Sequence, residues 1–390
     1  MGSSKESLQV SMESIKREAM TSCGDINRLP GDIMIDILSR LPVKFVIRGS
    51  AVCKNWHSMV KTPSFVCKYF NHCTNSIRLF VYHFDAHAGS FYFSIYDDET
   101  LAGSPPAYRD VVVDMPHHLE MSLYDGIFCM SNRSSRCALW NQATREFRAL
   151  PILPEVLGRC VMDTFGFGLD PTTQDYKVVL IWVTVDEYEE KRWLAAKTAV
   201  YTLSSDSWRD LDVSIPCPWI FPPVSNTCID GVFHWFGVDN ERKPLILSFD
   251  MGSDSFGEIR GGFPRPNCAS LTTCNKSLAL CYYDIADMSI SSVDVWVRNW
   301  DESWTMHARV EIPYITVLGF WKEGMIFMKT DEDRHLALYN PETQEVKNLG
   351  YRTGPHPFLY RESLVAIRRR NGIIEQHQTT DVAQILDFCE

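Results

Sequence analysis

The sequence contains no run of about 18 apolar residues, the minimum from which a membrane-spanning helix is read. Residues 1–24 lack an apolar stretch of the length a signal peptide needs, and no Cys-x-x-Cys pair occurs among the 13 cysteines. Scattered, odd in number and without a secretory lead, these cysteines read as reduced, mostly buried thiols of a cytoplasmic or nuclear protein. Positive charge is scarce: 38 Lys and Arg stand against 49 Asp and Glu, a net charge of −11. That balance argues against a sequence-independent grip on nucleic acid or on an anionic membrane, since both need a basic surface. Also missing are a Gly-x-Ser-x-Gly elbow, a Walker loop, a His-Glu-x-x-His pair and the kinase motifs. No spacing pairs two carboxylates for acid–base work, so the sequence nominates no catalytic, cofactor-binding or metal-ligating residue. The two Asn-x-Ser patterns, at Asn132 and Asn275, read as chance matches without a secretory route.

The 390 residues allow two or three domains. A hydrophobic fraction of 45% with 22% charged residues is ordinary for globular chains. Aromatics at 12% point to many half-buried strands, because rings suit a pleated surface. Residues 1–24 show no period and read as a mobile lead. From residue 25 to 67 the period is helical. Ile33, Ile37, Leu38 and Leu41 fall on one stripe. Pro30 suits a helix start, and Pro42 stops that helix and opens the next. Val43, Val46 and Ile47 give a second stripe, with Gly49 expected as its stop and Ser50 as the next N-cap. Val52, Trp56, Met59 and Val60 form a third stripe, closed by Pro63. Three helices in under about 40 residues make a core too small to stand alone, so the unit should lean on another surface. A polar joint near residues 71–76 suggests two folding units with modest contact.

From about residue 75 to 368 the signal is all-β, with expected strands at 79–84, 91–96, 177–183, 199–203 and 293–297. A hairpin recurs there, with a large apolar residue on each side of a polar turn: Trp140 and Phe147, Tyr201 and Trp208, Phe249 and Phe256, Trp296 and Trp304, Tyr339 and Val346. A residue-Gly-apolar-apolar step recurs at Gly126, Gly231 and Gly324, where a left-handed turn between strands is expected. From Tyr201 the hairpin aromatics step by 48, 47 and 43 residues, the period of four-stranded propeller blades. The earlier step of 61 leaves room for a loop insertion at the acidic run 186–190. About 290 residues over a period of ~45 gives six or seven blades. Residues 369–390 read as a tail.

The order Leu29-Pro30, Ile37-Leu38, Leu41-Pro42, then Val52-Cys53-Lys54 and Trp56 resembles an F-box. The stretches from Leu139 to Pro151, Phe165 to Pro171, Asp175 to Val179, Gly231 to Trp235 and Tyr360 to Val365 resemble the plant F-box-associated domain, and their spacing is similar to the S-locus F-box and S-locus F-box-like group. The fold class implied is an α+β multidomain chain, a small N-terminal three-helix F-box followed by a large all-β propeller-like domain. The resemblance implies a non-catalytic substrate receptor of an SCF ubiquitin ligase, with a Skp-type adaptor, a cullin behind it and a protein client as partners; in the S-locus group the client would be a pistil ribonuclease of self-incompatibility. Carried over by motif, the adaptor-facing residues are Leu29, Pro30, Ile33, Ile37, Leu38, Leu41, Pro42, Val46, Val52, Cys53 and Trp56. Phe45 and Gly49 depart from the family pattern, which would weaken the adaptor contact.

Other readings of the same residues are structural. Gly166-Phe-Gly168 continues into Leu-Asp-Pro, so it reads as strand and turn rather than a dinucleotide loop. His117 and His118, near Asp114 and Glu120, read as a solvent loop. His234, Trp235, Trp140, Trp208, Trp296 and Trp304 read as packing between blades rather than as a pocket. A glycan- or ligand-reading propeller outside a ligase, and a propeller enzyme, are the competing function classes.

Overall fold

The computed structural model describes residues 30–368, apart from positions 53, 214, 216, 218 and 314 and segments 73–76, 86–89, 97–108, 114–119, 132–136, 154–159, 185–196, 266–268, 287–288, 331–334 and 350–355. The lead 1–24, Leu29, Cys53, the histidines at 117 and 118, the acidic run 186–190, the Asn132 pattern and the tail 369–390 lie outside the described residues.

Twenty-four strands, β1 to β24, form six sheets of four among the described residues, which settles the blade number at six. Within each sheet the strands run antiparallel, and five sheets follow chain order: β4 (Glu120–Tyr124) to β7 (Glu146–Ala149), β8 (Cys160–Asp170) to β11 (Ser207–Leu211), β12 (Trp219–Phe221) to β15 (Ser255–Arg260), β16 (Ala269–Cys274) to β19 (Trp304–Val310), and β20 (Ile315–Phe320) to β23 (Val346–Asn348). The sixth is composite. β24 (His356–Tyr360) pairs with β1 (Arg78–Asp85), ahead of β2 (Ser90–Tyr96) and β3 (Arg109–Val113). Tyr360 meets Arg78 and Phe358 meets Phe80 in that register, so the C-terminal strand closes the ring.

Each gap between neighbouring sheets holds its own apolar layer. Phe80, Phe128, Trp140, Phe358 and Tyr360 fill the gap at the closure, with the Phe80 and Phe128 rings 4.5 Å apart. Trp235, Phe233, Val179 and Ile181 fill another. There Gly166 gives the next sheet its room, since a Cβ on it would lie 2.8 Å from the Trp235 ring and 2.9 Å from Phe233. The Gly-Phe-Gly run is therefore an inner strand pressed against neighbouring aromatics. Trp140 and Trp235 are buried as expected, while Trp208, Trp296 and Trp304 are half-buried. A buried cation fastens the same two sheets: Lys177 reaches Asp170 and Asp254 at 2.9 Å each and donates to the Met251 carbonyl at 2.6 Å.

The recurring hairpins have a shared turn chemistry. Trp140–Phe147, Tyr201–Trp208, Phe249–Phe256 and Tyr339–Val346 are direct cross-strand partners. Trp296 and Trp304 are not; a bulge after Val295 sets Trp296 opposite Met306 and Trp304 opposite Arg298. Asn141, Asp250 and Asn340 open their turns by accepting backbone N–H groups two residues on, and Arg145, Asp254 and Gln344 end them at φ 56°, 51° and 59°. Asp125-Gly126 and Asp230-Gly231 are two-residue turns with both φ values positive (48° and 76°, 49° and 81°), the geometry that matches strand twist. Gly324, at φ 79°, instead ends a short 3₁₀ turn, Lys322–Gly324.

Among the described residues the helical unit has four helices, not three: α1 (Gly31–Ser39), α2 (Val43–Val52), α3 (Lys54–Val60) and α4 (Pro63–His72). Pro63 opens α4 rather than only closing α3, as a proline can at a first helical turn. Gly49 and Ser50 do not stop α2; both lie inside it. The reason for glycine there is a close approach: a Cβ on Gly49 would stand 2.8 Å from two atoms of the Trp56 ring. Met34, Leu38, Val43, Val46, Val60, Phe65 and Tyr69 form the core, and Ala143 and Leu364 of the propeller pack against it. The unit thus leans on the β domain, as its small size requires.

Two substitutions test these assignments. Gly231→Val should destabilise the β domain by at least about 1 kcal/mol, because it combines φ +81° with a Cβ only 2.6 Å from Pro171; calorimetry showing an unshifted transition would contradict the turn. Gly49→Ala should lower the melting temperature, although helix propensity alone favours alanine by about 1 kcal/mol. A raised melting temperature would mean that Trp56 moves aside freely.

Candidate functional site

The helical unit sits on one face of the propeller, the face that carries the turns between first and second and between third and fourth strands. Ala143, in the turn between β6 (Cys137–Asn141) and β7, touches its core. Arg78, at the start of β1, holds Glu362 at 2.8 Å. The Arg361 guanidinium lies over the Phe70 ring of α4, 5.0 Å from its centroid. Residues 361–368 run on from β24 and are pinned by Asn141, whose amide donates to the Ser363 and Val365 carbonyls at 3.1 and 2.8 Å. Arg148 donates to the Ile367 carbonyl at 2.9 Å.

Of the residues expected to face an adaptor, the structure turns some outward and buries others. Ile33 and Ile37, one turn apart on α1, are 45% and 48% exposed, and Phe45 on α2 is 57% exposed. Pro30 and Pro42 are exposed beside them, and Leu41 and Trp56 are half-buried. Leu38 and Val46 belong to the unit's own core. The side chain of Val52 lies outside the described residues, as Leu29 and Cys53 do. Asp36 ties the outward helix to α4: it is 3.0 Å from both Lys68 and Arg40. Hydrogen bonds from Lys68 and then Arg40 hold its carboxyl below the usual carboxylate range. The result is an apolar edge of Pro30, Ile33, Ile37, Pro42 and Phe45 with a fixed charged neighbour. Phe45, which departs from the family pattern, lies within it.

The opposite face carries the remaining connections and the mouth of the central channel. The segment after β12 blocks that channel part-way, leaving about 130 Å³ open between Asn226, Leu123, Leu318 and Leu359 on the helix-bearing side. Asn226 donates to Ser122 of β4 and to the Phe167 carbonyl of β8, each at 2.8 Å, and its own carbonyl accepts from Thr273 of β16 at 3.3 Å. A shallow mouth of about 190 Å³ remains between Glu120, Pro222, Ser225 and His356. Burial lowers the His356 pKa to about 4 and lowers that of His234, so neither ring carries charge near neutrality. Burial raises the Cys217 and Cys274 thiols to about 11 and the Cys228 and Cys281 thiols to about 12, far from the thiolate that nucleophilic attack needs. No group of three or more His, Cys, Asp or Glu among the described residues is gathered as metal ligands would be. No described helix is long and apolar enough to cross a membrane. Sequence reasoning gave Asn226 no role, and it marked Asn141 and residues 361–365 only as parts of the Leu139–Pro151 and Tyr360–Val365 stretches; their distant hydrogen-bond partners had no local signal.

The F-box domain matches residues 26–68, and the F-box associated beta propeller domain matches residues 112–347. The chain is 25% identical over 344 residues to the F-box/kelch-repeat protein At3g23880 of Arabidopsis thaliana, covering 80% of this chain and 88% of that one. It is 26% identical over 261 residues to the F-box protein At2g21930 of the same plant, covering 64% of each, a little under two thirds of that relative's length. Among solved structures, TolB from Acinetobacter baumannii is similar at 12% identity and a TM-score of 0.45, over 79% of this chain and 73% of its own; no inference rests on that likeness. With a helical F-box mounted on a six-bladed ring whose family match spans more than half its length, the chain belongs to the F-box proteins that carry an F-box-associated β-propeller domain.

Proposed function

We propose that this chain is the substrate-recognition subunit of an SCF-type ubiquitin ligase. The observation that carries the reading is the apolar edge of α1 and α2. Ile33, Ile37 and Phe45 stand in water on a unit that has already filled its core and leaned on the propeller. Contiguous apolar side chains of this kind mark a protein contact, and in an F-box that contact is a Skp-type adaptor with a cullin behind it. The propeller then offers its opposite face, with its connecting loops, to a protein client. The chain acts by holding that client near a separate ubiquitin-charged enzyme, a proximity effect. A ribonuclease client of the S-locus kind rests on the sequence strings alone. The interrupted channel disfavours a ligand-reading axial site, since its two openings of about 190 and 130 Å³ each fall below the ~300–1,000 Å³ usual for small-molecule pockets.

Replacing Ile33 and Ile37 together by Asp should cut adaptor copurification at least about 10-fold, the effect of one interface residue worth ~1.4 kcal/mol or more. The melting temperature should hold, because both side chains already face water. Undiminished copurification by the folded double variant would refute the docking edge.

A further inference from the structure

The seam between α2 and the propeller holds a cleft of about 280 Å³ in which basic residues are concentrated. Lys44 and Arg48 stand on its helical wall, and Arg78 of β1 and Arg145 of the β6–β7 turn on its propeller wall. Glu362 is the one acid among the described residues that line it, and Arg78 already holds that acid at 2.8 Å. Lys44, Arg48 and Arg145 are exposed, and the described residues give none of the three an ion pair, a side-chain hydrogen bond or an aromatic ring. Elsewhere the pattern differs: Arg40, Arg209, Arg260, Arg265 and Arg309 each meet a carboxylate.

Two of these bases work against their own helix. Lys44 lies in the first turn of α2, where the positive end of the helix dipole disfavours a cation, and that turn holds no acid. Arg48 follows four residues later on the same face, and a like-charge pair at that spacing weakens a helix. Three free cations gathered at one seam of a chain with net charge −11, against local helix energetics, mark a site for an anion.

Size and charge select the kind of anion. A volume of about 280 Å³ lies just under the ~300–1,000 Å³ of small-molecule sites and suits one or two side chains of a peptide. Val43, Ile47 and Ile95 add apolar lining for the stems of such side chains. Lys44 and Arg48 are about 6 Å apart along the helix axis, close to the ~6.6 Å between alternate residues of an extended strand. A long polyanion would also lie over the surrounding acidic surface and be repelled by it. A short segment feels only the charges within about one Debye length, ~10 Å.

We propose that this cleft docks a short acidic segment of a partner protein, its carboxylates held between α2 and the β6–β7 turn. The proposal goes beyond the receptor reading and does not need it. Lys44, Arg48 and Arg145 are not among the adaptor-facing residues, and Phe45, one residue past Lys44, points about 100° further round the helix.

The test follows the fluorescence anisotropy of a rhodamine-labelled hexaglutamate peptide titrated with the full chain. Binding should saturate and weaken as salt rises, and a glycine–serine peptide of equal length should not bind. Lys44→Glu and Arg145→Glu, one from each wall, should each weaken binding at least about 5-fold, since an attraction becomes a repulsion. Arg242→Glu makes the same charge change at an exposed arginine on the opposite face of the ring, in the turn between β13 (Val232–Val238) and β14 (Pro244–Asp250), and should change affinity less than about 2-fold. Lys44→Glu should keep or raise the melting temperature, because it removes the like-charge pair and puts an acid in the first turn of α2; its lost binding is then not lost folding. Equal losses in all three variants would reduce the effect to net charge and overturn the site, as would binding that either wall variant leaves intact. Displacement of the peptide by millimolar inorganic phosphate would overturn the peptide in favour of a small free anion. A ten-nucleotide oligothymidylate that binds more tightly, with the same losses, would overturn it in favour of a nucleic acid.

Discussion

The pairing of β24 with β1 is the contact on which the rest of this molecule depends. Five sheets are local meanders and could form from consecutive residues, but the sixth sheet is complete, and the ring closed, only when the first and last segments meet. That meeting brings together residues almost 280 positions apart, with Tyr360 opposite Arg78 and Phe358 opposite Phe80. The closure is slow in principle, because the entropy of a long loop is lost before its contacts form. The aromatic layer of Phe80, Phe128, Trp140, Phe358 and Tyr360 lies at this seam, where the burial of five rings offsets that cost.

The same segment then mounts the F-box. Immediately after β24, Arg361 covers Phe70, Glu362 holds Arg78, and Leu364 enters the core of the helical unit. Asn141 fixes the irregular segment between them, donating its two amide hydrogens to the carbonyls of residues 363 and 365 while its oxygen accepts within its own turn. Ring closure and F-box placement are therefore one structural event. An F-box mounted this way has a defined orientation toward the propeller.

The arrangement also divides the surface. The turn-bearing face is partly covered by the helices and holds the basic cleft beside α2, while the apolar edge of α1 and α2 points to solvent. The other face carries the remaining connections between strands. Asn226 interrupts the axis between them by joining strands of three sheets, so the channel does not run through the ring.

Much of this was written in the order of residues. The proline positions and the apolar stripe from Ile33 to Leu41 marked α1, and the 43–48-residue step of the hairpin aromatics marked the blades, because helix and strand periods are local properties of the chain. The positive φ values at Gly126, Gly231 and Gly324 followed from the same local logic. Gly49 shows where that logic stops: glycine propensity reads as a helix end, yet the Trp56 ring seven residues on requires a missing Cβ inside α2. The fourth helix was hidden because Pro63 both ends one element and begins another. Burial of Leu38 and Val46 against exposure of Ile33 and Ile37 was not legible, since all four lie on apolar stripes and only the packing of α4, Ala143 and Leu364 selects which side faces inward. The sequence by itself determined the family, the helical and strand periods and the turns, all set by neighbours within a few residues. Six blades rather than seven, the interrupted axis and the seat of the F-box were decided by tertiary structure, because each depends on contacts between residues that only ring closure brings together.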